Sequence, residues 1–194
     1  LSLIFMDFID GITLREKLNK EKSRTLGKTV RILSQVTDAL EHAHSREVIH
    51  RDIKPANIII SSSGLVKVTD FGTARMDAGE HTIIGGIWGT PDYMSPEHAR
   101  GETVDERSDL FCLGCVLYQC LAGEKPFRSR SATGILLRIV SEDPDPIDRE
   151  DLLGEGEIES LLKRALAKDP DQRFQTASEF GQALRTLLKS GSAA

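Results

Sequence analysis

Apolar residues recur along this chain with two periods. Between positions 28 and 45, Val30, Leu33, Val36, Leu40 and Ala43 fall three and four residues apart, which predicts an amphipathic helix. Positions 158–167 and 177–188 also read as amphipathic helices, and 131–141 as a shorter one. From 108 to 121 nearly every position is apolar, so that helix is expected to be buried on most faces. The other period is that of a strand. Ile58-Ile59-Ile60, a turn at 61–64 and Val66-Lys67-Val68 predict a β-hairpin. Positions 1–9 are apolar and β-prone, a strand that Gly11 is expected to end. Thr13, with Glu16 three residues on, then reads as the capping box of a helix. Between 73 and 89 the periodicity fades and glycines accumulate, so a loop is expected. Nine of the eighteen residues from 142 to 159 are acidic, with Pro144 and Pro146 among them, which predicts a solvated connection. Residues 189–194 have the composition of a tail or linker.

Composition narrows the class. At 194 residues the chain can bury a sizeable core, and 28% charged with 39% apolar residues is ordinary for a globular domain. The net charge of −5 gives no support for nucleic-acid binding through a basic face. The longest mostly apolar stretch, 111–123, is too short for a membrane segment, and no signal peptide opens the chain. Three cysteines, an odd number, argue against a disulfide framework and fit a reducing, cytoplasmic interior. Cys112 and Cys115 lie on the apolar helix, where they read as small hydrophobes rather than metal ligands. His42 and His44 are two apart, face different sides of a helix and make a poor metal pair.

The candidate chemistry gathers at the hairpin's two ends. His50-Arg51-Asp52-Ile53-Lys54-Pro55-Ala56-Asn57 precedes it and Asp70-Phe71-Gly72 follows it. Asp52 can take a proton from a hydroxyl, and Lys54 is a point charge suited to a phosphate. Asn57 and Asp70 are hard oxygen donors, which suit Mg²⁺ better than zinc or copper. A base, a cation and a magnesium site together point to phosphoryl transfer, where positioning and charge neutralisation supply most of the catalysis.

These residues carry a family resemblance. His-Arg-Asp with Asn57 at the right interval resembles the catalytic loop of protein kinases, and Asp70-Phe71-Gly72 their metal-binding motif. Ser95-Pro96-Glu97 follows in the expected order. Thr90 together with Lys54 is similar to the serine/threonine pattern, and the chain looks closest to the bacterial, eukaryotic-like serine/threonine kinases. The resemblance implies an α+β, mainly helical fold: the large C-terminal lobe of the kinase architecture with a short catalytic hairpin. It divides the chain into a last N-lobe strand and hinge at 1–12, the lobe at 13–188 and a tail at 189–194, with the activation segment at 70–97.

By the same resemblance Met6 is the gatekeeper, the backbones of Asp7 and Ile9 face adenine, and Ile59 forms the floor beneath it. His50 supports the loop and Arg51 faces the activation segment, where Thr82 is the candidate phosphosite. The Thr90 hydroxyl helps to hold Asp52 and Lys54. Glu97 is expected to pair with Arg173, and Asp109 to accept backbone N–H bonds from the catalytic loop. Phe111 stands where many kinases have tryptophan. The implied cofactors are ATP and Mg²⁺, or Mn²⁺ in its place, and the implied partner is a protein with a Ser or Thr acceptor. The glycine-rich phosphate loop, the strand lysine and its helix glutamate are not among these residues, so an N-lobe is expected upstream and the 194 residues alone are expected to be inactive. The location implied is cytoplasmic, or the cytoplasmic side of a membrane-anchored parent. Two other readings remain: a non-catalytic, kinase-like scaffold, and a small-molecule phosphotransferase, which the 89–97 loop and the Glu97–Arg173 match disfavour.

Overall fold

A computed structural model describes residues 8–21, 24–71, 91–147 and 155–191. Among them the architecture is α+β and mainly helical. Strand β1 (Gly11–Thr13) runs straight into helix α1 (Leu14–Lys20). Helix α2 (Leu26–His44) is followed by a 3₁₀ turn at Pro55–Asn57 and the hairpin β2 (Ile58–Ser61) and β3 (Val66–Val68). Five more helices complete the order: α3 (Pro96–Arg100), α4 (Glu106–Ala122), α5 (Ala132–Ser141), α6 (Glu155–Ala165) and α7 (Ala177–Gly191). The sheet is antiparallel in the order β1-β2-β3, with Thr13 opposite Ile59 and Ile58 opposite Val68.

Local chemistry explains most of these boundaries. The Thr13 hydroxyl accepts from the Glu16 amide at 3.1 Å, and the Glu16 carboxylate accepts from the Thr13 amide at 2.8 Å, closing the expected capping box. Thr25 caps α2 and Asp105 caps α4, so both helices begin two residues before their apolar pattern does. Helix α4 stops at Gly123, whose φ of 78° is the left-handed conformation that glycine adopts without strain.

The core is built around α4, which is buried on nearly every face, as its sequence requires. Val30, Leu33, Val36 and Leu40 of α2 join that core, and α7 packs along α2. Gly114 lets α6 approach closely: a Cβ there would lie 3.0 Å from the Cβ of Ala165. All three cysteines are buried, and burial pushes each thiol up, to about 12 for Cys120.

Two expectations are corrected. Gly11 does not end a strand. Residues 8–10 are irregular, 1–7 lie outside the described residues, and Gly11 opens β1. Its role is close approach, since a Cβ would sit 2.6 Å from the Ile60 carbonyl oxygen. Residues 155–159, expected in the acidic connection, form the first turns of α6. Acidic side chains there complement the positive end of the helix dipole. Helix α3 and a 3₁₀ turn at Pro170–Gln172 were too short to leave a period in the sequence.

One buried ion pair closes the lobe. Arg173 is 1% exposed and Glu97 4%. The guanidinium meets the carboxylate through two parallel bonds, Nη1 to Oε1 at 2.8 Å and Nη2 to Oε2 at 2.7 Å. Its other donors reach the carbonyls of Ala167 (2.8 Å), Lys168 (3.1 Å) and Arg107 (3.3 Å). All five N–H groups of the guanidinium therefore have acceptors. Glu97 also accepts from the Ser108 hydroxyl. Burial pushes the Glu97 carboxyl up, but the bonds from Arg173 and Ser108 outweigh it and hold it down at about 2.

Arg173→Ala orphans a buried carboxylate and is expected to destabilise the protein by about 3–5 kcal/mol; an unchanged thermal melt would contradict the pair's importance. The ordinary Glu97 value of 4.5 is depressed on folding, so its contribution is complete above about 4.5 and disappears as pH falls towards 2. Melts of the intact protein across that window should show an acid-sensitive loss of stability that Glu97→Gln diminishes.

Candidate active site

The segment between α2 and the hairpin has little regular structure, so its shape depends on side-chain bonds. Asp109, in the first turn of α4, is 0% exposed. Its Oδ1 accepts the Arg51 amide at 2.7 Å, and its Oδ2 accepts the His50 amide at 2.9 Å. His44 Nε2 reaches the same Oδ2 at 2.8 Å. Arg51 has φ 68°, a left-handed conformation unusual for arginine, and its bond to Asp109 helps hold it there.

His50 fastens the loop to the far end of the hairpin. Its Nδ1 accepts the Asp52 amide at 3.2 Å and its Nε2 donates to the Thr69 carbonyl at 2.8 Å. A backbone amide only donates and a carbonyl only accepts, so the partners fix the tautomer: the proton is on Nε2. The His50 ring also meets Phe71 at a centroid separation of 4.6 Å. The Thr69 amide and hydroxyl both donate to the Asn57 carbonyl, at 2.9 and 3.3 Å. Asp70, exposed and at φ 65°, is thus fixed on both sides, through Thr69 and through Phe71.

Asp52 sits at the mouth of this arrangement. Lys54 Nζ donates to its Oδ2 at 2.6 Å and Asn57 Nδ2 at 3.1 Å; Asn57 Nδ2 also donates to the Asp52 carbonyl at 2.9 Å. The side chains of Asp52 and Lys54 remain 40% and 38% exposed, which leaves them open to a ligand, whereas Asn57 is buried. Because the Asn57 nitrogen is committed to Asp52, its Oδ1 faces the other way. That oxygen and the exposed Asp70 carboxylate are two hard donors, one at each end of the hairpin. Among the described residues no cluster of three or more His, Cys, Asp or Glu could hold a metal by itself. Two protein oxygens, with the remaining positions left to phosphate and water, fit Mg²⁺.

Ile59 lies on β2 with its side chain beside Gly11, and Ile9 is half-buried just before β1. Met6, Asp7, Thr82 and Thr90 lie outside the described residues. The segment that follows Thr90 is pinned by groups the sequence did not single out. Tyr93 donates to Gln119 at 2.6 Å, and Lys125 pairs with buried Asp92. Burial, then the Asp92 charge, push the Tyr93 phenol well up. His44 was singled out as half of a poor metal pair, and nothing in its spacing announced its bond to Asp109.

The architecture and this loop are those expected of the large lobe of the kinase fold. The chain belongs to the protein kinase family, whose domain profile matches residues 2–184. It is 44% identical over 182 residues to the serine/threonine-protein kinase PknB of Mycolicibacterium smegmatis, covering 92% of this chain and 29% of that protein. The PknB of Mycobacterium tuberculosis strain H37Rv is 42% identical over 182 residues, with the same coverage. The probable serine/threonine-protein kinase PknB of Bifidobacterium longum is 42% identical over 195 residues, covering 98% of this chain and 28% of that protein. The chain therefore spans less than a third of the length of these relatives. Members of the family use ATP and a divalent metal in general.

Asp109→Asn turns an acceptor for two loop amides into a group that must place an NH₂ against one of them. Hydrogen exchange at the His50 and Arg51 amides should accelerate at least tenfold in that variant; protection equal to wild type would show that Asp109 does not hold the loop.

Proposed function

We propose that this chain is the catalytic lobe of a serine/threonine protein kinase that transfers the ATP γ-phosphate to Ser or Thr hydroxyls of proteins. The observation that carries this reading is the Asp52 carboxylate, part-exposed and braced by Lys54 and by Asn57, the residue whose carbonyl holds Thr69 next to Asp70. Both bracing donors converge on Oδ2, which supports Oδ1 as the oxygen that meets the acceptor hydroxyl. There Asp52 orients the hydroxyl and accepts its proton as the oxygen attacks. Lys54, already 2.6 Å from Asp52, is suited to bridge the base and the incoming phosphate and to offset its charge. Asn57 Oδ1 and the Asp70 carboxylate would hold Mg²⁺, which supplies charge neutralisation on the phosphates when bound. The backbones of Asp7 and Ile9 and the side chain of Ile59 would receive the adenine.

Thr90 is assigned to hold Asp52 and Lys54, Arg51 to receive a phosphate on the activation segment, and Thr82 to carry that phosphate. Among the described residues no helix is long and apolar enough to cross a membrane. The use of ATP and three buried, unpaired thiols support a cytoplasmic location for this lobe.

Asp52→Asn in the full-length protein is expected to lower peptide phosphorylation at least a thousandfold while shifting the melting temperature by no more than about 2 °C. Retained transfer would remove Asp52 from the role of base. The 194 residues by themselves are expected to transfer no phosphate, because the phosphate-covering loop and the strand lysine are not among them; ATP-dependent labelling of a peptide by this chain alone would overturn that expectation.

A further inference from the structure

The hairpin β2–β3 has Asn57 immediately before it and Asp70 two residues after it, so its position decides where both metal-donor candidates stand. Its base is fastened by Thr69 to the Asn57 carbonyl. Towards its other end, the side chain of Gln35 supplies the hydrogen bonds to α2. Gln35 Oε1 accepts the Val66 amide at 3.0 Å, and Gln35 Nε2 donates to the Gly64 carbonyl at 3.3 Å and to Arg31 of its own helix at 3.1 Å.

These bonds do what a further strand would do. β3 is the outer strand of the sheet, Val66 is buried, and its amide points away from β2. A buried amide without a partner is costly, and Gln35 is the group that meets it. Both hairpin contacts are to backbone atoms, two residues apart, so they fit one register and one position only. A slip of one residue would break both and turn Ile58 and Ile60 out of the core. The bond to Arg31 fixes the Gln35 amide on its own helix, so the constraint is transmitted from α2 as a body.

We infer that Gln35 is a positioning residue of the catalytic site: by locking the tip of the hairpin to α2 it sets the geometry of Asn57 and Asp70. The inference rests on the metal role proposed above for those two residues. Gln35 touches neither metal nor nucleotide and acts through the hairpin alone.

The test uses the full-length protein, Gln35→Leu, which fills the space without polar atoms, and Gln35→Glu, which keeps an acceptor for the Val66 amide. In Gln35→Leu, hydrogen exchange at Val66 should accelerate at least tenfold. The Mg²⁺ concentration for half-maximal binding of a fluorescent ATP analogue should rise three- to tenfold, with binding of the analogue in EDTA unchanged. Gln35→Glu should recover at least half of the Mg²⁺ effect. A lower melting temperature in Gln35→Leu with an unchanged Mg²⁺ requirement would overturn the inference, leaving Gln35 a merely structural residue. Equal losses in Gln35→Leu and Gln35→Glu would support the inference through the Nε2 bonds to Gly64 and Arg31, which both variants remove. Asp70→Asn is the control for the underlying reading: if it leaves the Mg²⁺ requirement unchanged, the metal assignment fails, whatever Gln35 does.

Discussion

The buried carboxylate of Asp109 is the constraint on which the site depends. A charge removed from water is tolerable only when its lone pairs are met, and here two loop amides and His44 meet them. The same bonds that make the charge tolerable leave the loop no freedom to choose another path. Its neighbours in sequence extend the constraint. The Ser108 hydroxyl donates to Glu97 and the Arg107 carbonyl accepts from Arg173. Three consecutive residues at the start of α4 thus join the His50–Arg51 loop, helix α3 and the distant Arg173. Phe111, one turn further on, lies under the Arg173 guanidinium at 4.9 Å. A phenylalanine suffices at this place because what the cation needs from it is a ring face.

Helix α2 carries a second fixture. Gln35 and His44 are nine residues apart, which puts them about half a turn out of phase and about 13 Å apart along the axis. They therefore address opposite sides: Gln35 holds the hairpin, and His44 reaches Asp109. The two halves of the site, the loop with Asp52 and the hairpin that bears Asn57 and Asp70, are referred to one rigid helix. The long sequence separation between these groups matters less than their common attachment.

Much of this was legible in the chain because it repeats. The three- and four-residue spacing of α2 and the unbroken apolar run of α4 gave those helices, and the hairpin showed itself through two apolar runs around a Ser-Gly turn. The chemistry was legible only because residue types stood in a known order. Glu97 and Arg173, 76 positions apart, carry no local sign of each other, and only resemblance joined them. What escaped were contacts of single side chains, to backbone atoms or to one another, His44 to Asp109 and Tyr93 to Gln119 among them. Gln35 to Val66, and the close approach at Gly11, leave no period and no motif. Glycine was read as a stop at position 11 because composition cannot tell a turn glycine from one that admits a neighbouring carbonyl.

The distribution of exposure separates the parts that hold from the parts that act. Asp109, Glu97, Arg173 and His50 are buried and fully engaged with fold-defining partners, so changing any of them disturbs the frame before it disturbs chemistry. Asp52, Lys54 and Asp70 stand exposed on that frame. Their mutual bonds are few and, in water, each is worth little to stability. That is the condition a phosphate-transfer site needs. An exposed lysine can exchange its carboxylate partner for a phosphate at small cost, while the backbone beneath it, held by buried bonds, does not have to reorganise when the charge arrives.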